Sequence, residues 1–195
     1  MSLDAEEQAR ADFYGLLARL FYAPPDAALL QGLAQAGPLA GDDPGAPLAL
    51  AWNALRKAAG GADADAVRDE FEAVFVGTGK AEVTPYTSAY TVKSAVDNPL
   101  VDIRAFMARH GIARRADAFE PEDHVAALCE VMRYLIAELA APLDEQRGFF
   151  EGFLGGGARL LCDAIDRSPR TVFYKEVSSV ARAFFEVEHA ALDMK

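Results

Sequence analysis

Apolar residues recur at intervals of three and four along most of the chain, and runs that alternate apolar with polar are scarce. That period belongs to helices with one buried face. Phe13, Leu16, Leu17, Leu20 and Phe21 form a first stripe, which stops before Pro24-Pro25. Asp26 is placed to cap a second helix carrying Leu29, Leu30 and Leu33. The turn-rich segment GPLAGDDPGAP, Gly37 to Pro47, leads to a third helix expected from about Leu48 to Ala59, with Trp52 in it. After Gly60-Gly61, Asp63 begins a fourth, with Val67, Glu70, Phe71, Val74 and Phe75 towards its end.

The pattern then lapses over VFVGTGKAEVTPYTSAY, Val74 to Tyr90. A long unpatterned loop inside a compact chain is uncommon and often functional. Asn98-Pro99 restarts the helical spacing, with Ile103, Phe106 and Met107 on one face, and Gly111 closes it. A second loop, RRADAFEPEDH, opens the strongest helix, in which Val125, Leu128, Cys129, Met132, Leu135, Ile136 and Leu139 share a stripe. Pro121, Glu122 and Asp123 mark its start by restricted φ and a favourable dipole. A further helix after Pro142 is expected to weaken or break at Gly155-Gly156-Gly157, and the last, from about Thr171, carries Phe173, Val177, Val180, Phe184 and Val187. The expected fold is all-α, a single-domain bundle of about eight or nine helices with two functional loops, with small lobes dividing near residues 77–98 as an elaboration.

Composition agrees: 195 residues with 52% hydrophobic and 25% charged residues describe an ordinary globular chain. The net charge of −11 repels phosphate backbones and attracts basic peptides, so nucleic acid is not an expected partner. The N-terminus has no secretory pattern and no run approaches a membrane span, which points to the cytoplasm. Cys129 and Cys162 lack paired spacing and read as buried free thiols.

Candidate chemistry is thin. A phosphate loop needs a glycine five residues before Gly79-Lys80 and a hydroxyl after it, and those positions hold Val74 and Ala81. His110, His124 and His189 have no ligand spacing on one helical face, so neither metal nor cofactor is expected. Ser88 lacks a nucleophile-elbow context, and the chain reads as a non-enzyme.

The segments FYGLLARLFYAPPD, EFEAVFVGTGKAEVTPYTSAY, EPEDH and FYKEVSSVARAFFEVE, spread across roughly residues 10 to 190, together resemble the TorD/DmsD/NarJ type of redox-enzyme maturation chaperone. The resemblance places Glu70, Phe71, Phe75, Gly77, Gly79, Pro85, Ser88 and Tyr90 at motif positions. It associates Asp123 and His124 with recognition of a client's leader peptide. Thr78, Thr84 and Gly155-Gly156 depart from the usual pattern. The implied function is binding the twin-arginine leader, the apo form, or both, of a molybdopterin oxidoreductase catalytic subunit, assisting cofactor insertion and delaying export.

The residue types suit that task. Guanidinium prefers bidentate carboxylates, and an apolar leader stretch needs an apolar groove. Glu70, Phe75, Tyr86, Ser88, Tyr90, Glu122, Asp123 and His124 are the candidate peptide contacts, with Glu82 and Glu120 nearby and Gly77, Gly79 and Pro85 shaping the loop. Structural roles stand beside these: Glu70 bonding amides, Phe71 and Phe75 in the core, EPED as a helix start, and His124 as an anchor between loops. Two rival functions remain. One is a chaperone that ignores leaders and aids cofactor insertion; the other is a nucleotide-binding or hydrolytic protein using Gly77–Lys80.

Overall fold

A computed structural model describes residues 3–39, 43–77, 81–94, 97–114 and 119–194. Among them the helical expectation holds throughout. The regular elements are helices, and one isolated bridge pair, Tyr86 with His124, is the sole β-type contact among the described residues.

Local chemistry explains the starts. Helix α1 (Ala5–Tyr22) begins where the Asp4 carboxylate accepts the Glu7 amide at 2.8 Å. Asp26 does the same for α2 (Ala27–Gln35) through the Leu29 amide, and Asp63 for α4 (Ala64–Phe71) through the amides of Asp65 and Ala66. Pro47 and Pro99 occupy the first turns of α3 (Pro47–Gly61) and α6 (Pro99–Arg109), where a missing N–H costs nothing. A four-residue helix, α5 (Ser88–Thr91), lies between α4 and α6, inside the stretch read as loop from sequence. Helix α7 spans Val125–Ala137, α8 Leu143–Phe149, α9 Gly155–Arg167 and α10 Phe173–Asp193.

Two helices change pitch. Helix α4 runs on into a π turn, Glu72–Val76, and α8 joins α9 through another, Phe150–Leu154. Counted as continuous runs, the described residues form nine helices. The expected break at Gly155-Gly156-Gly157 is therefore corrected. The chain stays helical through all three glycines, because Phe149, Phe150 and Leu154 anchor the π turn in the core and neighbours hold the following turn. A second correction concerns stripe ends. Leu139 lies beyond α7 and is 39% exposed, and Val187 is half exposed on the outer side of α10.

The packing centres on α1 against α7. Tyr14, Leu17, Leu20 and Phe21 of α1 are fully buried with Leu128, Met132, Leu135 and Ile136 of α7. Helix α10 lies across α3, α8 and α9, while α2 packs on α3 and α5 on α9. Aromatic rings join these layers: Phe184 stacks on Phe13 with centroids 5.1 Å apart and meets Tyr14 edge-on at 4.9 Å. A buried polar group ties three helices where apolar contact would not fix their register. Arg10 Nε donates to Glu188 Oε1 at 2.7 Å, its terminal nitrogen donates to Gln146 Oε1 at 2.8 Å, and the Tyr14 hydroxyl donates to Glu188 Oε2 at 2.9 Å. Both thiols are buried and free; burial raises Cys162 to about 11 and Cys129 higher still, so neither is a nucleophile near neutral pH.

Candidate functional site

The first loop leaves α4 through Gly77, whose φ of 63° and ψ of 159° suit glycine alone. Its amide closes the π turn on the Glu72 carbonyl at 2.7 Å, and the Val83 amide returns to the Val74 carbonyl at 2.9 Å. Gly79 and Lys80 lie outside the described residues, so their expected roles rest on sequence alone.

Residues 85–88 then run antiparallel to residues 123–125. The Thr87 amide donates to the Asp123 carbonyl and the Val125 amide to the Pro85 carbonyl, each at 2.9 Å. Side chains reinforce this bridge. The Thr87 hydroxyl donates to the Asp123 carbonyl at 3.2 Å, the Ser88 hydroxyl to Asp123 Oδ2, and the Tyr86 hydroxyl to Glu120 Oε2. Pro85 has no amide to donate, but its carbonyl is the acceptor the bridge needs. Tyr90 faces inward, its hydroxyl donating to the Thr84 carbonyl at 2.8 Å. Burial, together with the Glu120 bond, raises Tyr86 to about 12, and burial raises Tyr90 to about 12, so both stay protonated donors.

The 120–124 segment folds as a turn, with the His124 amide donating to the Pro121 carbonyl at 3.1 Å. His124 caps α7: Nδ1 accepts the Ala126 amide at 3.1 Å, which requires an unprotonated Nδ1. The ring is buried and meets Tyr86 edge-on at 5.3 Å, and burial holds its pKa below the ordinary histidine value. Asp123 is only 4% exposed, and its Oδ1 has no hydrogen-bond partner among the described residues. Glu122, also buried, accepts from Arg104 at 2.9 Å and lies 4.0 Å from Arg114. The Arg104 bond holds Glu122 below the usual carboxylate range.

Beside this turn opens a groove of about 990 Å³ between α1, the end of α6 and α7. Ala18, Met107, Ile112, Ala127 and Val131 line its apolar part, with Glu120, Glu122 and His124 at the end nearest the bridge. Its rim carries charges of both signs, Arg19, Arg114 and Arg133 as well as Glu130.

Tyr86, Ser88, Glu122, Asp123 and His124 are thus brought together. Glu70 and Phe75 are not with them. The Glu70 carboxylate accepts the amides of Val172, Phe173 and Tyr174 at 2.8, 3.0 and 2.8 Å, capping α10, which has no cap of its own. Phe75 is buried, its ring 5.0 Å from Tyr174 and 5.2 Å from Phe71. Glu82 also serves the loop before α10, accepting from Ser168 at 2.7 Å and pairing with Arg170 at 3.0 Å. Sequence reading missed Thr87, Arg104 and Gly157. A side chain at Gly157 would place Cβ 2.4 Å from Thr87 Cβ, so the glycine is what lets α9 lie against the bridge. Its only trace in the sequence is membership of a glycine triplet, which also signals a helix break.

Residues 42–156 match the family model described as the nitrate reductase delta subunit. The match covers more than half of the chain, and the chain belongs to this family. A chaperone protein TorD of Photobacterium profundum is 35% identical over 80 residues, 40% of this chain and 37% of the relative. Another, from Aliivibrio fischeri, is 31% identical over 87 residues, 44% of this chain and 40% of the relative. The matched stretch therefore spans about two fifths of the length of these curated relatives. A crystal structure of a redox enzyme maturation protein from Archaeoglobus fulgidus superposes with a TM-score of 0.55 over 91% of this chain and 93% of that one. At 16% identity that likeness carries the fold alone. The expected resemblance and the all-helical class are both borne out.

Proposed function

We propose that this chain is a cytoplasmic maturation chaperone, without catalytic activity, for a molybdopterin oxidoreductase catalytic subunit. It binds the client's twin-arginine leader, its apo form, or both, assists cofactor insertion and delays export. The molybdopterin belongs to the client. The observation that carries the reading is the antiparallel bridge between residues 85–88 and 123–125, which joins the two signature segments and shares His124 with the groove lining.

The chemistry supports a guanidinium-bearing, partly apolar ligand. Buried carboxylates of Asp123 and Glu122 offer acceptors that bind planar donors best when shielded from water. The adjoining apolar walls suit a peptide that folds as a helix on docking. Family membership and the names of the two curated relatives support the chaperone class.

Titration calorimetry against twin-arginine leader peptides of candidate molybdoenzymes, with twin-lysine versions as controls, tests the proposal. Saturable binding that weakens with lysine is the expected result. Absence of binding to every leader, together with capture of a leaderless catalytic subunit, would replace leader recognition by direct assistance to cofactor insertion.

A further inference from the structure

Resting on the leader-binding reading, the geometry points to Arg104 as an autoinhibitory residue: we infer that its guanidinium occupies the Glu122 carboxylate as an internal stand-in that an incoming cationic peptide must displace. The ion pair is asymmetric. Glu122 has a side chain only 10% exposed, whereas that of Arg104 is 55% exposed on the outer surface of α6. The acceptor is also fixed by its backbone, since the turn carrying it is bonded to residues 85–87 on one side and opens α7 on the other. Glu122 lines the groove and so does Arg114, the second cation near it, while Arg104 reaches the carboxylate from outside the groove lining. A fixed buried acceptor thus meets a donor on a long, solvated stem.

Such a pair is readily exchanged for one of its own kind. An incoming guanidinium reproduces the charge-assisted bond, and the released Arg104 returns to water that already covers most of it. An ammonium offers a compact, strongly hydrated charge without the planar fork, so its exchange trades a better contact for a poorer one. Breaking the Arg104 bond costs the same whichever ligand arrives, so occupancy by Arg104 weakens arginine- and lysine-bearing ligands by one common factor, and the preference for arginine lies in the Glu122 carboxylate itself.

The test is calorimetry on wild type, Arg104→Ala, Glu122→Gln and the double variant. The probes are synthetic peptides with a paired arginine ahead of an apolar stretch, and their paired-lysine counterparts. Arg104→Ala is expected to tighten the arginine peptide about threefold to fivefold, the range of a partly exposed pair, and the lysine peptide by the same factor. In the Glu122→Gln background the same change is expected to have no effect. Arg104→Ala takes the Arg104 bond from a buried carboxylate, so a modest fall in Tm is expected, and binding is compared below the onset of unfolding of every variant to exclude a folding artefact. Wild-type binding with equal or weaker binding by Arg104→Ala overturns this inference and leaves leader recognition standing. No binding by any variant overturns both, whereas binding by Arg104→Ala alone supports a carboxylate held closed by Arg104.

Discussion

Replacing Gly157 by alanine isolates the contact that holds the first loop in place. An ideal Cβ there falls 2.4 Å from Thr87 Cβ, 2.9 Å from Thr87 Cα and 3.0 Å from Thr87 Cγ2. Ordinary carbon contacts need about 3.5–4.0 Å, so the backbone at Thr87 must retreat by about an ångström. Thr87 cannot yield alone, because its amide and hydroxyl both hold the Asp123 carbonyl. Overpacking of this kind costs about 1–3 kcal/mol. Against it stands the helical preference of alanine over glycine, worth about 1 kcal/mol. The steric loss outweighs the gain, for a net destabilisation of up to about 2 kcal/mol and a fall in Tm of up to roughly 8 °C for a chain of this size. Gly156 supplies the control. It is exposed and a Cβ there meets nothing within 4 Å, so Gly156→Ala should stabilise by about 0.5–1 kcal/mol. Urea unfolding of the two single variants gives both signs from adjacent positions. A Gly157→Ala protein as stable as Gly156→Ala would refute the argument that glycine is required for the approach of α9 to Thr87.

Two further perturbations test other contacts. Glu70→Ala removes the acceptor of three amides at the start of α10 and should cost about 2 kcal/mol in denaturant unfolding, with amide exchange accelerated at residues 172–174; unchanged exchange there would show that the cap is dispensable. His124 is buried neutral, with a folded pKa below the ordinary 6.5, so its contribution to stability is present above pH 6.5 and is lost as pH falls through the folded value. His124→Asn retains a capping acceptor without titrating, and unfolding free energies from about pH 7 to 5 should fall less steeply than in wild type; parallel slopes would place the titration elsewhere.

The sequence by itself determined the helical class and the helix starts that a local cap or proline sets, because those depend on neighbours in the chain. The three-and-four spacing decides which face is buried, and Asp4, Asp26, Asp63, Pro47 and Pro99 act within one turn of where they stand. It also contained both loops, since a lapse in periodicity is local too. What only the tertiary structure decided are partnerships between residues far apart in the chain. Glu70 stands in a signature segment, and nothing nearby reveals that it caps a helix whose first amides lie 102 to 104 residues later. Ser88 and Asp123 meet 35 residues apart, and Arg104 covers Glu122 from another helix. The glycine triplet shows the same limit. Intrinsic preference favours a break there, but packing of the π turn into the core and of Gly157 against Thr87 outweighs it, because burial and steric fit act over the whole assembled fold while propensity acts one residue at a time.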